Sequence, residues 1–148
     1  MKVEFTKEQY ASLMKLVYLG NYMANGNRMD DEVIDDFNDL EDYIFGKAKE
    51  AGLERYVDEG TNEDEGDPIA YPSELLDEEV SEYIEEFESQ IFWDELIDLL
   101  TKRDMIKKYG EDKLEAMEIE DLISKESEIY DKYAEEFNDK GIENLYLK

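Results

Sequence analysis

YASLMKLVYLGNYMANGN, residues 10–27, is the stretch that decides the fold. The whole chain is 40% charged, yet only Lys15 carries a charge between Glu8 and Arg28. Apolar side chains recur here at helical spacing along two stripes, which are Tyr10, Leu13, Met14 and Val17, then Leu16, Leu19 and Met23. A helix that is apolar nearly all round is normally buried. The stretch therefore predicts a central, buried helix near the N-terminus.

The composition of the chain gives two conflicting signals about folding. Its 148 residues fit one domain. The 43 acids outnumber the 16 bases, which leaves a formal net charge of −27, and high charge is typical of disorder. However, 12% of the residues are aromatic and the apolar residues follow a helical period. We therefore expect a single acidic helical domain over residues 1–148.

Several classes of function are excluded or disfavoured by what the chain contains. It has no cysteine and no histidine, so thiolate zinc sites, cysteine nucleophiles and imidazole bases are absent. We expect no cofactor, and we assign no catalytic and no metal-ligating residue. The N-terminus lacks the apolar run of a signal peptide, and no apolar stretch is long enough to span a membrane. We therefore expect a cytoplasmic protein that does not bind membranes.

Local signals place the first two helices. Thr6 and Gln9 have the spacing of a capping box, which starts a helix ending near Ala24. An acid at Asp30 or Asp31 is expected to cap a second helix, which Gly52 ends. The apolar stripe of this second helix is predicted as Val33, Ile34, Phe37, Leu40, Tyr43, Ile44 and Ala48. Asp35, Asp39 and Asp42 are expected at the centre of the opposite, solvated face.

The middle and end of the chain complete the predicted fold. The helical period is lost over residues 55–72, where short strands are expected on both sides of an acidic turn from Asp58 to Asp67. A third helical region follows, and its stripe broadens near Ser89, which predicts a kink or a new N-cap. A last helix is expected over residues 119–138. The fold class is therefore mainly α: a compact bundle of four to five helices around a buried N-terminal helix, with a short two-stranded β excursion.

The most unusual feature of the sequence is a long segment without basic residues. No Lys or Arg occurs between Tyr56 and Thr101. Within this segment four glutamates share one helix face, and they are Glu78, Glu82, Glu85 and Glu86. They lie together because residues four, seven and eight positions apart fall on the same side of a helix. This face and the Asp35, Asp39 and Asp42 face are the candidate binding sites for a basic partner.

Three functions are compatible with this pattern. The first is a non-enzymatic interaction module that binds a basic protein, either as a nucleic-acid mimic or as an immunity- or antitoxin-like inhibitor. A surface this negative repels phosphates, so direct nucleic-acid binding is not expected. The second is acidity that serves only solubility. The residues indicate neither the identity of the partner nor the oligomeric state.

The third function is a magnesium-dependent nucleotide hydrolase. All-helical nucleotide pyrophosphohydrolases hold Mg²⁺ with paired E-x-x-E and E-x-x-D motifs on adjacent helices. This chain contains Glu82-x-x-Glu85 and Glu95-x-x-Asp98, but the two pairs are too close in sequence to lie on two antiparallel helices. One further polar residue is notable. Asn21 lies on the otherwise apolar first helix and is expected to need a structural hydrogen-bond partner.

Overall fold

The computed structural model describes residues 2–61 and 68–146. Within them the chain forms five α-helices and one antiparallel pair of strands, so the predicted mainly helical fold class is confirmed. The elements in chain order are α1 (Lys7–Asn25), α2 (Asp35–Phe45), β1 (Val57–Thr61), β2 (Pro68–Pro72), α3 (Glu74–Tyr109), α4 (Glu111–Glu115) and α5 (Ile119–Lys140). No helix in this described part is long and apolar enough to cross a membrane.

The chain divides into two compact units, Met1–Glu85 and Glu86–Lys148. The single-domain organisation stays a prediction. The core of the first unit is formed by side chains from α1, α2, the strand region and the start of α3, and its buried members are Met14, Phe45, Ala48, Leu53, Tyr56 and Leu76. In the second unit Ile97 and Leu100 of α3 pack against Phe137 of α5.

Helix α1 begins as predicted but is buried along one face only. The Thr6–Gln9 capping box is present, with Gln9 N donating to Thr6 Oγ1 at 3.2 Å. Met14 is fully buried, whereas Leu16 and Met23 are 67% and 66% exposed. The expectation of a helix hidden nearly all round is therefore wrong for the second apolar stripe. The core of the first unit contacts α1 on the Met14 side, and in the second stripe Leu19 is only partly buried.

Helix α2 differs from the prediction in both its start and its orientation. It begins at Asp35 and is preceded by a 3-10 turn over Asp30–Glu32, so neither Asp30 nor Asp31 caps it. Asp30 adopts a left-handed conformation with φ of 50°, which interrupts any helix at that position. The predicted apolar stripe is also wrong in part. Leu40 and Tyr43 are 50% and 64% exposed, while polar side chains take their place against α1.

The β excursion is confirmed as a hairpin. β1 pairs with β2 in antiparallel register, with Val57 opposite Pro72 and Gly60 opposite Ile69. Asp58 and Glu59 belong to β1 and not to a turn, and the rest of the predicted acidic turn, residues 62–67, lies outside the described residues. The two ends of the hairpin are joined to each other, since Oγ of Ser73, the residue after β2, donates to Arg55 O, two residues before β1, at 2.9 Å.

Helix α3 runs from Glu74 to Tyr109 without interruption, so the predicted new N-cap at Ser89 is wrong. The alternative prediction of a kink there stays a prediction. The helix contains no Gly and no Pro, the residues that most often break or bend a helix. It contributes to both cores, because Leu76 and Val80 are buried in the first unit and Ile97 and Leu100 in the second.

Candidate interaction surface

Four carboxylates form an exposed acidic row along α3. Glu78, Glu82, Glu85 and Glu86 are all exposed. None of the four forms an ion pair with another described residue. Helical spacing brings them to one side of α3, as the sequence predicts. We call this set the α3 acidic row.

Two large aromatic side chains of the same helix segment are also exposed. Tyr83 is 57% exposed and Phe87, one turn later, is 51% exposed. Helical spacing places both on a different side of α3 from the row, because residues one position apart do not share a face. The α3 acidic row is therefore a surface of carboxylates without aromatic rings between them.

Glu79 lies within the same acidic segment but has a different role. Its carboxylate accepts from Lys15 Nζ at 2.7 Å and from Tyr56 OH at 2.8 Å. The Lys15 hydrogen bond is the main reason that the pKa of Glu79 is lowered from its ordinary value, and the Tyr56 hydroxyl adds to it. Glu79 therefore joins α3 to α1 and to the strand region, and it is not available to a partner.

The three aspartates predicted on α2 also lie together. Asp35, Asp39 and Asp42 are exposed and share one side of the helix. Partial burial, with the neighbouring charge of Asp39, raises the pKa of Asp42. This set lies on α2 and the acidic row lies on α3.

A polar network joins α1 to α2. Asn21 Nδ2 donates to Asn38 Oδ1 at 3.0 Å and to Glu41 Oε2 at 2.5 Å. Asn25 Oδ1 accepts from Ile34 N at 2.9 Å, which fixes the residue before α2, and Asn25 Nδ2 donates to Asn21 Oδ1 at 2.8 Å. The structural role predicted for Asn21 is confirmed, with partners on a helix.

Glu41 is the residue of this network that the sequence analysis missed. Its Oε1 is buried without a hydrogen-bond partner among the described residues. Burial raises the pKa of Glu41, and the Asn21 hydrogen bond opposes this shift. Asn21 could have indicated this role of Glu41, because a partly buried amide on α1 needs a polar residue on the facing helix.

The two carboxylate pairs of the hydrolase hypothesis lie on one helix. Glu82, Glu85, Glu95 and Asp98 all belong to α3, so they do not face one another across two adjacent helices. Within residues 2–61 and 68–146, no group of three or more Asp, Glu, His or Cys side chains is placed to hold a metal ion. The arrangement of these pairs therefore gives the hydrolase hypothesis no support.

The second unit contains a cleft of about 440 Å³ between α3 and α5. Its lining includes Lys107, Lys108 and Lys132, with acids beside them. On its wall Tyr133 OH donates to Asp104 Oδ2 at 2.5 Å, and Arg103 donates to the same carboxylate at 2.9 Å. The Arg103 hydrogen bond is the main cause that lowers the pKa of Asp104. The cleft is lined by positively and negatively charged side chains and lies between the two helices.

Comparison with known protein families, characterised proteins and solved structures finds no significant match to this chain.

Proposed function

We propose that this protein is a non-enzymatic interaction module that binds a basic protein partner through the α3 acidic row. The observation that carries the proposal is the contrast within one helix segment. Glu79 is held by Lys15 and Tyr56, whereas the neighbouring carboxylates of the row are exposed and form no ion pair with the described residues. Uncompensated carboxylates on a rigid helix attract a basic surface and speed its association.

The spacing of the row favours a partner that normally binds nucleic acid. Glu78 and Glu86 are eight residues apart, which is about 12 Å along a helix at 1.5 Å per residue. Four carboxylates in that length give about one charge per 4 Å of helix axis, close to the axial rise of about 3.4 Å per phosphate for one strand of duplex DNA. The row therefore resembles a short length of one strand in charge density, as expected of a nucleic-acid mimic or an inhibitor of a basic nuclease.

Asp35, Asp39 and Asp42 form the second candidate face of the same module. They are exposed like the α3 acidic row but cover a shorter helix. We assign the main contact to α3, because it carries four exposed carboxylates on one side where α2 carries three.

A pair of charge-matched variants tests the proposal. In the first, all four glutamates of the α3 acidic row are changed to glutamine. In the second, the exposed residues Glu115, Glu118, Glu120 and Glu135 are changed to glutamine, which alters the net charge equally. The probe is a lysine- and arginine-rich peptide of about 20 residues, titrated calorimetrically at about 0.1 M salt, where the screening length is about 10 Å.

We expect the α3 variant to lose at least about tenfold in affinity and the control less than about threefold, because local charges act more strongly than distant ones. Circular dichroism checks that both variants keep their helix content. Equal losses in the two variants would mean that the peptide senses only the total charge, as the solubility hypothesis requires. Unchanged affinity in both would remove the α3 acidic row as a binding site.

A further inference from the structure

The back of α1 is an apolar surface on an otherwise strongly acidic protein. Ser12, Leu16, Leu19 and Met23 follow one another at spacings of four, three and four residues. Leu16 and Met23 are 67% and 66% exposed. We call these four residues the α1 outer seam.

The spacing of the outer seam matches the pattern by which two helices pack side by side. Helices pair when apolar residues recur every 3.5 residues on average, and alternating steps of four and three produce that average. Gly20 lies next to the seam, and the space where its Cβ would be has no other atom within 4 Å. A glycine at this position lets a second helix approach closely.

Burying the seam would leave no unsatisfied hydrogen-bonding group on it. Ser12 is its only polar side chain, and its Oγ already donates to Glu8 O at 3.1 Å. The backbone groups are bonded within the helix. The cost of removing polar groups from water, which opposes many associations, is therefore small here.

Charge indicates which partner the seam fits. No Asp or Glu occurs from Gln9 to Met29, and Lys15 is neutralised by Glu79 at 2.7 Å. A basic partner gains nothing from a neutral surface and is attracted instead to the α3 acidic row. Two copies of this chain repel each other wherever their acidic faces meet, but the seam itself contains no carboxylate. The seam is also self-complementary, as a two-fold contact requires.

We propose that the α1 outer seam is a self-association surface, on which α1 of a second copy packs to form a dimer. One helix face is smaller than the roughly 800 Å² per partner of a standard stable interface. The dimer is therefore weak and concentration-dependent. Its salt dependence is opposite to that of a basic partner, because salt screens the repulsion between two acidic copies.

Sedimentation equilibrium of the full chain tests the proposal with three variants. Leu16→Glu places a charge in the seam, and Leu16→Gln removes the apolar contact without adding charge. Leu99→Glu is the matched control, since Leu99 is 62% exposed on α3. Each protein is measured at about 0.02 M and about 0.5 M salt, where screening lengths are about 20 Å and 4 Å.

For the wild type and Leu99→Glu we expect dimerisation to tighten at least tenfold as salt rises. Both Leu16 variants should remain monomeric at the same concentrations, with unchanged helix content by circular dichroism. A wild type that stays monomeric at high salt would overturn the proposal. So would equal dissociation by Leu99→Glu, which would move the contact to another face. Loss of binding of the lysine- and arginine-rich peptide in Leu16→Glu would assign the seam to the basic partner instead.

Discussion

Glu78 and Glu79 are adjacent on α3, yet their surroundings are opposite. Glu79 is held by Lys15 Nζ at 2.7 Å and Tyr56 OH at 2.8 Å, whereas Glu78 is exposed. Glu41 on α2 is a third case, because Asn21 on α1 offers it a neutral amide and no charge. The comparison teaches that the role of an acidic residue in this unit depends on which side chain of α1 contacts it. Glu79 beside a lysine is a structural partner with a lowered pKa, Glu41 beside an amide has a pKa that burial raises, and Glu78 without such a contact is exposed.

The largest expected effect on stability comes from removing a side-chain amide of the polar network between α1 and α2. Asn25→Ala deletes the acceptor for Ile34 N and the donor to Asn21 Oδ1. We expect about 2–3 kcal/mol of destabilisation, because buried groups lose their partners. Urea unfolding followed by circular dichroism measures it. Asn27→Ala is the control, since Asn27 is exposed, and equal losses in the two variants would mean that the network contributes nothing specific.

Removing Lys15, the lysine that contacts Glu79, should have a smaller effect on stability, and this effect should depend on pH. Lys15→Met leaves Glu79 without its cation, and we expect a loss of about 1 kcal/mol at pH 7, typical of a partly exposed ion pair with added hydrogen bonds. The folded-state pKa of Glu79 is lowered, so its stabilisation is present above the unfolded pKa and is lost as pH falls through the folded pKa. The difference between wild type and variant should therefore shrink in acid.

Lys49→Met is the matched control, because Lys49 is exposed and forms no ion pair with a described residue. Thermal unfolding of the three proteins between about pH 3 and pH 7 covers the range in which glutamate titrates. A difference between wild type and Lys15→Met that stays constant over this range would show that Glu79 does not depend on Lys15 for its ionisation.

The smallest expected effect is a gain in stability. The folded-state pKa of Glu41 is raised by burial, so its contribution is fully present below the unfolded pKa and is lost as pH rises through the folded pKa. Glu41→Gln removes the buried charge and keeps an oxygen for Asn21. We expect a gain below about 1 kcal/mol at pH 7 that disappears in acid. Urea midpoints at two pH values measure it, and destabilisation at pH 7 would mean that the charge of Glu41 strengthens the network.

Local signals predicted most of the fold, while contacts between helices decided the rest. The Thr6–Gln9 capping box fixed the start of α1, and the loss of helical period over 55–72 located the hairpin. The orientation of α2 was not predictable in this way. Its apolar stripe favours Leu40 and Tyr43 on the inside, but the amides of α1 select Asn38 and Glu41.

The same limit applies to the candidate site. Helical spacing was sufficient to bring the α3 acidic row together, because it depends on one helix only. Which acid in that segment is used internally depends on where Lys15 of α1 meets α3, and no spacing within α3 contains that information. The exposed back of α1 was missed for a related reason. An apolar stripe predicts burial only if another element is available to cover it.

Amide chemical-shift mapping on the isotope-labelled protein tests the central claim most directly. The lysine- and arginine-rich peptide is titrated in at about 0.1 M salt, where charges more than about 10 Å apart are largely screened. We predict that the shifts concentrate at residues 78–87 of α3, with smaller changes at 35–42 of α2. Glu79 and Lys15 should keep their contact. Shifts spread evenly over the exposed acids of α4 and α5 would contradict the assignment of α3 as the binding surface.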